Sequence, residues 1–282
     1  MKLTPRYGPE PLLGLDGDPF AVVGPTVRQR RRLVATLASF DDSEWDHPSR
    51  CAGWTTRDVV VHLDTTNSFW AASISAGTQG QPTRFLTDFD PVASPAQHVA
   101  ATGDRHRTEV FERFAESTEA FAAIAESLTP EDVADAIAEA PPGHISVSGV
   151  LHHALWDAWI HERDILLPLG REPVLEPDEV AASLRYAAAL GPALALTRGE
   201  HRRDRLTVSA TDPAVRFDVV VDDRVEVQTV DRSATATELE LNGDAVELVE
   251  ALSMRLPLPP SSPTDWVRMR DGLAVTFDSP PS

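Results

Sequence analysis

Apolar residues recur every three or four positions along most of the first two hundred residues, and every second position in stretches further on. The first spacing belongs to an amphipathic helix and the second to a half-buried strand. Residues 1–24 follow neither and predict an irregular arm. In residues 25–39, Val27, Leu33, Val34 and Leu37 mark a helix. Thr55, with Asp58 three residues on, is a variant of the capping box. It predicts the start of a helix running to about Ile74, with Val59, His62, Leu63, Thr66 and Trp70 as its inward stripe. Residues 75–93 read as a long loop. A third helix is predicted over 95–128, carrying Val99, His106, Val110, Phe114, Phe121 and Ile124. Pro141-Pro142-Gly143 is a firm break. A fourth helix is predicted over 146–169, stopping at Gly170.

A further helix follows Pro177 and reaches about Leu196. The period-two stretches are 205–209, 215–221 and 224–230, with Asp222-Asp223 placed for a hairpin turn. Residues 244–254 predict an amphipathic helix and 272–277 a final strand. The fold class is therefore α+β. A four-helix bundle over 25–172 is followed by a smaller α+β C-terminal domain over 173–282.

Composition narrows the function. Of 282 residues, 42% are apolar and 24% charged, which is a globular balance. The net charge of -19 argues against nucleic acid and anionic membrane surfaces as partners, because both need a basic face. Cys51 is the only cysteine, so no internal disulfide is expected. The first twenty residues lack the apolar segment of a signal peptide. Gly191 and Pro192 interrupt the apolar stretch 187–196, so no spanning helix is expected. A cytoplasmic location follows as the expectation. Lys2 is the only lysine, an arginine-rich pattern that suits a GC-rich genome.

Candidate chemistry lies on two of the helices. Asp157 and His161 are four apart and share one helix face. His62, on the inward stripe of a separate helix, can join them. Three protein ligands leave a coordination position open, as in catalytic metal sites. The alternative is an ion pair between Asp157 and His161, since buried polar groups need partners. His153 and Asp164 extend the same seam. His153 is a further candidate ligand, and Asp164 a candidate acceptor orienting His161 or, alternatively, a partner of Arg163 or Arg105. Two histidines and a carboxylate suit zinc and also a non-haem Fe(II) triad. Cys51 invites a ligand or nucleophile role but reads first as a small buried hydrophobe. Trp54 reads as packing on the helix start, and Arg57 and Arg163 read as solvated, with substrate carboxylates as their alternative partners. His47, His98, His144 and His201 read as loop or surface residues.

The segments "CAGWTTRDVVVHL" and "WDAWIHERDILLPLG" resemble the two metal-ligand helices of the mycothiol-dependent maleylpyruvate isomerase family, within the wider DinB-like four-helix-bundle superfamily. The tail "LNGDAVELVEALSMRLPL" is similar to that family's sterol-carrier-like C-terminal domain. The resemblance implies metal ligands at His62, Asp157 and His161, with Asp157 where the family commonly has Glu. It implies Zn²⁺, with Fe²⁺ or another divalent metal as the alternative. It further implies mycothiol as a thiol cosubstrate and an electrophilic small molecule as substrate. In such an isomerase the thiolate attacks an activated double bond and leaves after rotation; in a transferase the adduct stays. The family's functional C-terminal arginine has candidates in Arg216 and Arg224. A non-catalytic, metal-stabilised binding or regulatory protein is the alternative function.

Overall fold

The computed structural model describes residues 4–91, 93–102, 105–200, 203–230 and 239–277. The long helices of the first part are α1 (Val23–Leu37), α3 (Thr56–Thr78), α5 (Arg107–Ser127) and α7 (Val147–Leu166), joined through the short α2 (Asp42–Trp45), α4 (Ala93–Thr102) and α6 (Pro130–Asp135). They form the four-helix bundle: α3 packs on α5 and α7, and α1 on α5 and α7. Local chemistry sets the helix ends. The Thr55 hydroxyl accepts from the Asp58 N–H while Asp58 accepts from the Thr55 N–H at 2.8 Å, so the capping box starts α3 as predicted. Ser146 caps α7, and Gly170 takes a left-handed φ of 68° just past its end.

Several expectations change. The single helix predicted over 95–128 is two helices, α4 and α5, with His106 capping the second. Pro141-Pro142-Gly143 is the turn of a hairpin, β2 (Ile137–Ala140) with β3 (Gly143–Ser146). Most of its residues are buried, so neither strand shows the alternation that marks a half-buried one. The arm predicted to be irregular carries β1 (Leu13–Leu15). Among the described residues, 272–277 belong to helix α10 (Thr264–Phe277) rather than to a strand.

The second part holds α8 (Pro177–Thr197), the strands β4 (Asp204–Thr211), β5 (Val215–Val221), β6 (Val225–Thr229) and β7 (Glu240–Asp244), and α9 (Ala245–Leu252). The sheet order is β1-β6-β5-β4-β7, with β1 and β7 parallel to their neighbours and the rest antiparallel. The chain's first strand thus completes a sheet made by its last third. Helix α8 lies between the bundle and the sheet, touching α7 and α1 as well as β5, β6, α9 and α10. It runs unbroken through Gly191 and Pro192. By length and composition α8 alone among the described helices could cross a membrane, but most of it is buried inside the protein. Burial, not a break, accounts for its apolar sequence.

Buried charge joins the layers. Arg32 on α1 binds both Glu162 of α7 at 3.0 Å and Glu179 of α8 at 2.7 Å, and both carboxylate side chains are nearly inaccessible. Arg30, fully buried, donates to Asn67 and to the Ala154 carbonyl, and burial lowers it to about 10.

Candidate metal centre

Helix α7 is buried along almost its whole length, so each polar side chain it carries must find a partner inside. Asp157 and His161 project from it toward His62 on α3. The Oδ1 of Asp157 is 3.7 Å from His62 Nε2 and 3.6 Å from His161 Nε2. The three donor atoms lie within 4.8 Å of one another, and the two imidazoles meet edge-to-face at 5.0 Å.

These separations are too long for hydrogen bonds. Ligand atoms 2.0–2.2 Å from a tetrahedral zinc ion would stand about 3.4 Å apart, close to what is seen. The second oxygen of Asp157 is buried and has no hydrogen-bond partner. Such an orphaned carboxylate oxygen is costly, and a cation among the three donors would satisfy it. The residues therefore fit a divalent ion. All three side chains keep 11–15% of their surface open, so the cluster is not sealed.

The surroundings favour positive charge at the cluster. Burial alone would raise the Asp157 carboxyl, but His62, then His161 and His153, hold it well below the usual carboxylate range. Burial alone would lower His161; the adjoining Cys51, Asp164 and Asp157 outweigh it and raise the imidazole well above its ordinary value.

Asp164 orients His161, whose Nδ1 lies 3.0 Å from its Oδ2. The Nδ1 proton is thereby held on the carboxylate side, leaving the Nε2 lone pair for the cluster. Asp164 also accepts from Arg50 at 2.9 Å and from two nitrogens of Arg255 at 2.9 Å, not from Arg163 or Arg105. Cys51 sits closer to the chemistry than a buried hydrophobe would. Its Sγ is 3.3 Å from Asp164, 3.6 Å from His161 Nδ1 and 3.7 Å from Arg255. Cys51, His161 and Asp164 make a second converging trio, but two guanidinium groups already occupy Asp164.

His153 is not among the converging donors of the described residues. Its Nδ1 lies 2.6 Å from the Tyr186 hydroxyl, within a cluster of Trp70, Trp156 and Tyr186 rings, and burial lowers it to about 4. Trp54 stands beside His62, ring centroids 5.5 Å apart. Arg57 pairs with Asp46, and Arg163 pairs with Glu250 while lying over Trp159. Of the other histidines, His144 is buried rather than exposed, its ring nitrogens 3.1 and 3.0 Å from the Gly8 and Thr83 carbonyl oxygens. His201 lies outside the described residues. Arg216 and Arg224 pair with Glu240 and Glu226 on the sheet. Among the described residues, the C-terminal arginine that reaches Asp164 and Cys51 is Arg255. Neither it nor Arg50 lies on a periodic stripe with a ligand, so spacing carried no signal for them.

Fold and site together define a helical bundle with a His/Asp/His cluster, joined to an α+β C-terminal part. Residues 27–166 match the family model of the mycothiol maleylpyruvate isomerase N-terminal domain. A solved structure of the mycothiol-dependent maleylpyruvate isomerase superposes with a TM-score of 0.57 at 15% identity, covering 85% of this chain and 95% of that one. A histidine-to-alanine mutant of that enzyme superposes with a TM-score of 0.58, at the same identity and coverage. No curated protein matches the chain by sequence. The chain belongs to the mycothiol-dependent maleylpyruvate isomerase-like family.

Proposed function

We propose that this protein is a divalent-metal-dependent enzyme of the mycothiol-dependent isomerase or S-transferase type, with His62, Asp157 and His161 as its metal ligands. The observation that carries the proposal is the Asp157 carboxylate, whose Oδ1 lies between two imidazole nitrogens and whose other oxygen is buried without a partner. Zinc is the preferred ion and Fe²⁺ the alternative, since two histidines and one carboxylate suit either. A bound ion would supply Lewis acidity that favours the thiolate of a coordinated thiol. The chain's residues do the rest. Asp164 keeps the His161 proton on Nδ1, so that Nε2 is free to donate. His62 and Asp157 complete a three-ligand set, which leaves a place for a small-molecule thiol such as mycothiol. Such a site would serve addition of the thiolate across an activated double bond of a second small molecule, the new C–S bond replacing the π bond. We place this chemistry in the cytoplasm, where such thiols are kept reduced.

Calorimetry in two buffers of different ionisation heat tests the proposal. Mycothiol added to metal-loaded protein at neutral pH should release about one proton per thiol bound, because a free thiol with a pKa of about 8.5 is mostly protonated there. His62→Ala should release none. Absence of thiol binding to fully loaded protein would overturn the enzymatic reading in favour of a non-catalytic metal protein.

A further inference from the structure

The C-terminal part reaches the cluster through the end of α9. Glu250, whose side chain is only 3% exposed, accepts from Arg50 Nη1 at 2.7 Å and Nη2 at 3.1 Å, and also from Arg163. The Nε of the same Arg50 donates to Asp164 at 2.9 Å, and the Arg50 backbone N–H donates to the Asp164 carbonyl at 3.1 Å. Asp164 in turn holds His161. Arg50 therefore lies between two buried carboxylates, one from each part of the chain, in the loop directly before Cys51 and α3.

We propose that Glu250 is a positioning residue for the metal centre. Acting through Arg50 and Asp164, it fixes the ring of His161 and makes metal affinity depend on the docked α9. The physical reason is charge balance. Arg50 keeps nearly a quarter of its side-chain surface open. It remains turned inward because two desolvated carboxylates share it; without the Glu250 charge, its head can turn to water. Asp164 then keeps Arg255 but loses the guanidinium that ties it to the loop before α3, and His161 loses its fixed orientation. Groups that orient a metal ligand typically alter affinity by about 10–100-fold when changed. The inference rests on the metal reading above.

The test measures zinc affinity by competition with a chelating dye, together with the visible absorption of the cobalt(II) form, which reports ligand geometry. Glu250→Gln keeps the volume and removes the charge. It should weaken zinc binding about tenfold and shift the cobalt bands, with the circular dichroism of the wild type. Arg50→Gln should do the same, and the double variant should be no worse than either single one, because both changes cut one path. Arg163→Gln removes another contact to Glu250 that does not lead to Asp164, and should leave affinity and spectrum unchanged. Unchanged affinity and bands in folded Glu250→Gln would overturn the inference, as would strictly additive losses or an equal effect of Arg163→Gln. If Glu250→Gln does not fold, unchanged bands in folded Arg50→Gln overturn it. Failure of the metal reading is distinguishable: there, wild-type binding is absent or survives His62→Ala.

Discussion

His62 Nε2 and Asp157 Oδ1 face each other across 3.7 Å, on helices α3 and α7. The gap is too wide for a hydrogen bond and close to the spacing of two ligands on one ion. His62→Ala, Asp157→Ala and His161→Ala should each lower metal content sharply while helical circular dichroism is kept. His153→Ala should retain the metal, since Tyr186 and the surrounding rings engage that histidine. Elemental analysis of the purified variants decides it; full occupancy in His62→Ala would remove the site.

The pH dependence of stability should carry the mark of buried neutral histidines. Burial lowers His152 and His153 to about 4, from an ordinary value of 6.5. Between those values the unfolded chain binds protons that the folded chain does not. Stability is therefore lost as pH falls from about 6.5 toward 4, by up to about 1.4 kcal/mol per pH unit for each group, and the effect levels off below that window. Denaturant titrations at several pH values measure the slope. His152→Asn should flatten it, whatever its effect on stability at neutral pH; an unchanged slope would refute the assignment.

The Arg32 network predicts a contrast between buried and exposed ion pairs. Glu179→Ala takes a fully buried carboxylate from both Arg32 and Arg28, leaving Arg32 with Glu162 and Arg28 with the exposed Asp178. Leaving a buried charge uncompensated costs about 3–5 kcal/mol; with those carboxylates retained the loss should be smaller but still measurable. Glu119→Ala removes an exposed partner of Arg31 and should be nearly silent in the same urea titration.

Gly143 ties the arm to the hairpin. Its φ is 127°, and a Cβ there would lie 2.0 Å from the Arg6 carbonyl oxygen. Around this point the Arg6 N–H donates to the Pro142 carbonyl and the Arg6 carbonyl accepts from the His144 N–H. Gly143→Ala should push the arm away and unpair β1 from β6. Faster proteolytic cleavage within the first fifteen residues, with the bundle intact, is the expected result; cleavage at the wild-type rate would count against this account of the arm.

What the sequence by itself determined is local. The capping box at Thr55, the cap at Ser146 and the Gly170 stop are decided within a few residues. So is the shared face of Asp157 and His161, which the helix period brings together. The inward stripe of the helix after Thr55 brought His62 to them, and segment resemblance extended the reading to the family. Tertiary structure alone decided the rest, because contacts between distant segments leave no periodic trace. The arm's β1 is three residues long and gains its partner only from β6. The hairpin of β2 and β3 is covered, so no alternation showed. Gly191 and Pro192 read as a break until α8 was seen held between bundle and sheet, where packing outweighs the hydrogen bond a proline removes. Arg50, Glu250 and Arg255 became visible as supports of His161 only once α9 was seen docked beside α7, since charged residues scattered over two hundred positions acquire partners only when the chain folds.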